Sequence, residues 1–233
     1  MGRAIVGRAD EFDVESGDTV WSTSELPEIV LPTRGGWVLT FESEIRRIEG
    51  GKTVYSADGE GAVTEDDLLV SLHEGIVSLV GSEGLRREVE LAEKRSGYIW
   101  QMNVEPQGRW LAYATQHGVA VVDLHDGSER LWLPGLLQAS PSDPVLLGWK
   151  GSVVFMRREE DYLLFDARSQ TQLVLGLEVH ADAPPQFYAI SPSGFVDGSP
   201  ELVAQLSSEG KPLPVSCQHP GLLREWLADV NAP

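Results

Sequence analysis

Three segments of this chain share one plan, and they follow each other at one interval. EGIVSLVGSEGLRREVEL begins at Glu74, HGVAVVDLHDGSERLWL at His117 and DYLLFDARSQTQLVLGL at Asp161. Gly75, Gly118 and Asp161 hold the same place in each copy, and successive copies lie 43 residues apart. Each copy is an apolar stretch, a polar turn and a second apolar stretch, the pattern of a β-hairpin. A looser copy, EIRRIEGGKTVYS, starts at Glu44, and another, ELVAQLSSEGKPLPVS, at Glu201. One hairpin cannot bury its own hydrophobic surface, so a chain built this way must stack each unit on the next.

Further strand-like runs precede each hairpin. YIWQMNV and RWLAYAT, separated by the Pro/Gly turn EPQG, come before His117; PVLLGW and SVVFMRR come before Asp161. DDLLVSL precedes Gly75, and PEIVLP and GWVLTFE precede Glu44. Four short strands in roughly 40–45 residues is the composition of a propeller blade. The expected fold is therefore all-β: one domain over residues 1–233, a β-propeller of five to six four-stranded blades with a short C-terminal capping helix. Residues 1–23 hold N-terminal strands able to close the ring, 24–216 the blades, and 217–233 the cap. A five-bladed ring with an N-terminal extension and a six-bladed closed ring both fit. A β-sandwich of similar strand count satisfies the alternation too; the doubled 43-residue interval favours the propeller.

The cap is read from its own pattern. Leu222, Leu223, Trp226, Leu227 and Val230 fall on one side of a helix begun by Pro220, with Arg224, Glu225 and Asp229 on the other. Its expected role is to cover a sheet end or pore mouth, with docking into a partner's groove as the alternative.

Charge narrows the partners. Thirty-six acidic residues against eighteen basic ones give a formal charge of −18, which repels nucleic-acid phosphates and anionic lipid and attracts cationic proteins. No apolar run approaches the ~18 residues of a membrane span. The N-terminus turns acidic at once and lacks a secretory h-region. A single cysteine, Cys217, fits a reducing compartment, so a cytoplasmic protein is expected.

The chemistry of sites is sparse. His73, His117, His125, His180 and His219 are scattered, with no second His or Cys at ligand spacing. There is no nucleophile elbow and no phosphate-binding loop with Lys. Acidic residues cluster at Asp10, Glu11, Asp13, Glu15 and Asp18, at Asp58, Glu60, Glu65, Asp66 and Asp67, and at Glu159, Glu160 and Asp161. Neither acidic loop fits the spacing of a calcium loop. Hence no catalytic residue, no metal and no cofactor is expected. Seven tryptophans sit mostly inside strand-like runs, where packing between sheets is their expected task.

Two kinds of resemblance add to this. Leu164-Phe165-Asp166 and Val122-Asp123 stand where WD40 repeats carry an apolar residue, Trp and Asp, although the Trp-Asp dipeptide and the Gly-His pair are missing. The tail from Ala189 to Leu227 resembles the closing segment of bacterial WD40-repeat proteins, including those fused to caspase-like peptidases. Pro192, Gly194, Phe195, Asp197, Gly198, Leu213 and Pro220-Gly221-Leu222 hold the positions of that pattern. The resemblance implies a propeller module in a bacterial signalling or antiviral defence assembly, with catalysis left to a protease partner. The expected function is a non-catalytic protein-interaction scaffold; the alternatives are an acidic inhibitor or immunity protein neutralising a basic enzyme or toxin, and a propeller hydrolase using carboxylates. Expected partner-binding residues are Trp226, Leu222, Leu223, Asp10, Glu11, Asp13 and Glu15, facing a protein that is basic or contains a protease, and neither nucleic acid nor membrane.

Overall fold

The computed structural model describes residues 3–6, 10–13, 19–21, 29–32, 37–41, 44–49, 52–58, 60–64, 66, 68–95, 97–135, 145–158, 161–178, 184–208, 211–212 and 217–230. Of the residues singled out in the sequence, Glu15, Asp18, Glu65, Asp67, Glu159, Glu160, His180 and Leu213 lie outside the described residues. The chain forms two compact units, Met1–Trp132 and Leu133–Pro233.

The first unit is a series of antiparallel meanders. Strands β1 (Arg3–Val6), β2 (Asp10–Asp13) and β3 (Thr19–Trp21) make a three-stranded sheet. Three four-stranded sheets follow: β4 (Ile29–Pro32) to β7 (Lys52–Asp58), with β5 (Trp37–Phe41) and β6 (Glu44–Glu49) between; β8 (Glu60–Val63) to β11 (Gly84–Glu90), with β9 (Leu69–His73) and β10 (Ile76–Gly81); and β12 (Ile99–Val104) to β15 (Glu129–Pro134), with β13 (Trp110–Thr115) and β14 (Gly118–Asp123). In each, strands adjacent in sequence are adjacent in space. Short turns and alternating apolar residues favour this arrangement.

Alternation along β9 and β10 explains how the sheets stack. Val70, Leu72, Val77 and Leu79 point to one face and join Leu111, Tyr113, Ala120 and Val122 of the following sheet in one core. Leu69 and Val80 point to the other face and pack with Val38 and Ile45 of the preceding sheet. The β8–β11 sheet is thus covered on both faces by its neighbours in sequence. Each such side chain taken fully out of water contributes about 1.5–3 kcal/mol before the entropy of ordering is set against it.

The second unit holds a six-stranded sheet: β16 (Leu146–Lys150), β17 (Val153–Arg158), β18 (Asp161–Asp166), β19 (Thr171–Glu178), β20 (Gln186–Ile190) and β21 (Val196–Gly198). After it come helix α1 (Pro200–Val203), a two-stranded ribbon of β22 (Ser207–Ser208) and β23 (Lys211–Pro212), and helix α2 (Leu222–Val230). Val153, Leu164, Leu173 and Ala189 face α2 and pack with Trp226 and Val230. On the opposite face Val154, Met156, Leu163 and Phe165 are buried as well.

The three hairpins read from the 43-residue interval are β10–β11, β14–β15 and β18–β19, and the looser copy at Glu44 is β6–β7. An all-β chain of several antiparallel sheets ending in a short helix is what forms. Sheet sizes differ from the uniform four expected, because β20 pairs with the edge of β19 from Glu178↔Gln186 to Val174↔Ile190 and carries β21 with it. The hairpin expected from Glu201 is also corrected. Pro200 stands in the first turn of α1, Leu202 and Val203 are buried, and only Ser207–Ser208 and Lys211–Pro212 pair as strands. Proline pre-sets a helical φ and its missing N–H costs nothing in a first turn. Strand β8, which includes Glu60 of the middle acidic cluster, pairs with β9 and completes its sheet.

Candidate functional site

Among the described residues of the first unit, polar contacts gather around β13–β15, and the device that ends β14 recurs at the end of β18. Asp123, the last residue of β14, is almost fully buried; its Oδ1 accepts the His125 N–H at 2.8 Å, and its Oδ2 accepts Arg130 Nη2 at 2.8 Å. Arg109 Nη2 stands 3.7 Å from the same oxygen. Both guanidiniums lie over Trp110, Arg109 at 4.5 Å and Arg130 at 5.7 Å from the ring centroid. One turn further, Asp126 accepts the Ser128 N–H at 2.9 Å together with the Ser128 hydroxyl, which hold its carboxyl below the usual range.

Asp166 closes β18 in the same way, 43 positions on. Its carboxylate accepts the Arg168 and Ser169 N–H groups, each at 3.2 Å, and the Ser169 hydroxyl. Burial pushes this carboxyl up, but hydrogen bonds from Ser152, Ser169 and the Arg168 and Ser169 amides outweigh it and hold it below its ordinary value. These are the two aspartates that the repeat resemblance marked. The structure shows what they do: each ties a strand end to the turn that follows.

A second cluster lies where the segment after β11 crosses the β15 edge. Ala92 donates to Gly127 O at 3.0 Å, and the backbone at Gly97, with φ +113, passes against Gln116 and His117. Between these points Arg95 meets β15. Its Nε and Nη2 grip both oxygens of Glu129 at 2.9 and 2.6 Å, and its guanidinium stacks on Trp132 at 4.3 Å from the ring centroid. The hydrogen bonds that Arg95 donates to Glu129 raise its pKa above the ordinary value. Tyr113, buried beneath, is pushed up to about 12 by desolvation and then by the Glu129 charge. Lys94, Arg95, His117 and Trp132 line a cavity of about 210 Å³.

Little in the sequence signals this cluster. His117 and Trp132 stand in the repeat itself, but Arg95 reaches Glu129 across 34 residues, and only stacked sheets bring them together.

The described residues expected to bind a partner lie in β2 and in α2. Asp10, Glu11 and Asp13 lie in β2, paired with Val6, Ile5 and Arg3. Trp226 is only 9% exposed, packed into the second unit's core with its indole N–H on Thr171 Oγ1 at 3.2 Å. Leu222 and Leu223 are half-buried against the same core, whereas Leu227, expected on the apolar side, is 38% exposed. The helix is held at both ends. Asp197 Oδ2 accepts the Leu223 N–H at 3.3 Å, and Arg168 Nη2 donates to Val230 O at 2.9 Å. Both contacts place charge favourably for the helix dipole. Among the described residues no group of three or more His, Cys, Asp or Glu is placed to hold a metal ion. No helix among them is long and apolar enough to cross a membrane.

No known protein family matches the chain, and no curated protein does. Solved structures do share its fold at low identity. A chain of the Mitotic Checkpoint Complex aligns with a TM-score of 0.53 at 9% identity, covering 81% of this chain and 72% of that one. Hsv2 of Kluyvelomyces marxianus aligns at 0.52 and 12% identity, covering 78% and 68%. Hsv2p of Kluyveromyces lactis aligns at 0.50 and 13%, covering 79% and 70%. At such identity the likeness concerns fold alone.

Proposed function

We propose that this chain is a non-catalytic protein-interaction scaffold whose sheets are blades of a β-propeller. The observation that carries the proposal is the β8–β11 sheet, with Val70 and Leu72 turned to one neighbour and Leu69 and Val80 to the other. Sheets stacked this way have no free face, so recognition falls to turns, edges and the segments between sheets. The donor-rich, tryptophan-backed surface around Arg95 and Trp132 has the composition of interaction hot spots, where Trp and Arg dominate.

The tail supports the narrower reading of a bacterial signalling or defence assembly with a protease partner. Phe195, exposed and in tilted ring contact with His219 at 5.8 Å between centroids, and Asp197, which caps α2, occupy positions of the matching pattern. The membership of one aligned structure in a multiprotein complex is in keeping with a scaffold. A cytoplasmic location follows the same reading.

Reconstitution tests it. Cross-linking in cells of the source organism, followed by mixing the purified chain with each purified candidate, is expected to give a complex of fixed stoichiometry. The chain alone is expected to turn over no peptide, ester or glycoside. Turnover that a single carboxylate substitution abolishes would replace this reading with the hydrolase.

The net charge of −18 favours one second reading, an inhibitor or immunity protein for a basic enzyme or toxin. Affinity for such a partner would fall steeply between low and physiological salt, whereas an interface built on tryptophan and leucine would be nearly indifferent.

A further inference from the structure

The cavity beside Trp132 has a one-sided chemistry. Its four described lining residues, Lys94, Arg95, His117 and Trp132, all carry hydrogen-bond donors. Of the nearby acceptors, Glu129 holds both its oxygens toward Arg95 and Glu90 takes the Lys94 ammonium at 2.7 Å, while the exposed Glu93 carboxylate adds its charge beside Arg95. Arg95 uses Nε and Nη2 on Glu129, and Nη1 has no hydrogen-bond partner among the described residues. Two forces fix that guanidinium, the bidentate carboxylate below and the indole face at 4.3 Å, so its remaining N–H groups are oriented before any ligand arrives.

We infer that this cavity receives an anionic oxygen group, the carboxylate of an acidic side chain on a bound peptide. The inference rests on the interaction-module reading for the kind of ligand, and on the donors alone for its charge. Size agrees: about 210 Å³ holds several waters' volume, enough for a carboxylate with its hydration and too little for a folded element. The Lys94–Glu90 and Arg95–Glu129 pairs are neutral as pairs, Glu93 leaves one negative charge beside them, and distant acidic residues are screened beyond roughly 8 Å at physiological salt, so net charge does not draw the ligand in. Oriented N–H donors therefore supply the attraction. A single carboxylate binds weakly, and a peptide with flanking contacts binds better.

The test reads the cavity directly by NMR, through the Trp132 indole N–H and the Arg95 Nε–H, assigned with Trp132→Phe and Arg95→Lys variants. The probes are an acetylated and amidated Gly-Glu-Glu-Gly peptide, its Gly-Gln-Gln-Gly counterpart, and inorganic phosphate. Saturable shifts of both resonances with the Glu peptide, absent with the Gln peptide, are expected. Lys94→Met, on the exposed rim, is expected to weaken the Glu peptide about threefold, the scale of an exposed ion pair, and His117→Gln, also on the rim, to weaken it less. Arg95→Lys is expected to weaken it more. Shifts with phosphate alone, equal shifts with both peptides, or no response at 50-fold peptide excess would each overturn the inference. Because the readout sits on the cavity, these failures are separate from a failure to reconstitute a complex.

Discussion

The Trp226 indole N–H donates to the Thr171 hydroxyl across 3.2 Å, joining the middle of helix α2 to the start of strand β19. Around that bond the ring packs with Val153, Leu164, Leu173 and Ala189. A nine-residue helix is too short to persist alone in water, so α2 exists because this contact surface holds it.

Trp226→Ala is accordingly expected to destabilise the second unit by about 3–5 kcal/mol, the usual cost of removing a large buried aromatic. Trp226→Phe keeps most of the packing and loses the hydrogen bond, a cost nearer 1 kcal/mol on that account plus the smaller ring. Denaturant unfolding of both variants measures the difference. Equal and negligible losses would show that the indole is not seated in the sheet.

The two ends of α2 are separable from its middle. Asp197→Ala removes the carboxylate that meets the Leu223 N–H, and Arg168→Ala removes the cation at Val230 O. Each is expected to cost about 0.5–1 kcal/mol and to speed amide exchange in the turn it serves. Exchange rates read residue by residue distinguish fraying at one end from loss of the whole helix.

Asp166 predicts behaviour in acid. Its folded pKa is lowered, so the unfolded state binds more protons between the folded value and the ordinary one near 3.8. Stability from this group is complete above that ordinary value and is lost as pH falls through the folded pKa. Asp166→Asn is expected to lower stability at pH 7 while flattening the acid limb of the stability curve. Melting temperatures at matched pH values test both parts.

Tyr113 predicts behaviour in alkali with the opposite sign. Its folded pKa of about 12 exceeds the ordinary value of 10, so the phenol is neutral in the fold while the unfolded chain ionises. Its contribution is intact below pH 10 and is lost as pH rises toward 12, at a slope approaching about 1.4 kcal/mol per pH unit. Tyr113→Phe is expected to remove that slope and leave the curve near neutrality with a similar shape.

Gly127 tests the seam between the segment after β11 and the β14–β15 turn. Its φ is +73, and a Cβ there would stand 2.1 Å from Glu90 O. Gly127→Ala therefore meets both backbone strain and a clash with main chain, with an expected cost of about 2 kcal/mol or more. Gly135→Ala, also at positive φ but with open space around it, is expected to cost only the strain.

How much of this was legible in the residues depends on the range of the interaction. The hairpins β10–β11, β14–β15 and β18–β19 follow from local alternation and turn residues, and so does helix α2 with its buried Trp226 and Val230. Aspartates 123 and 166 were visible as a repeated position because the turn each one ties lies within a few residues. The helix α1 was missed because Glu201–Val203 alternates too briefly to separate strand from helix, and Pro200 decided it.

Sequence alone determined the periodic, all-β character of the chain and its strong negative charge, since both are sums over local choices. Tertiary structure alone decided which side of each sheet meets which neighbour, that β20 extends the sheet beyond four strands, and that Arg95 comes to rest between Glu129 and Trp132. Those outcomes depend on which residues of separate elements are brought together, and no local preference encodes that choice.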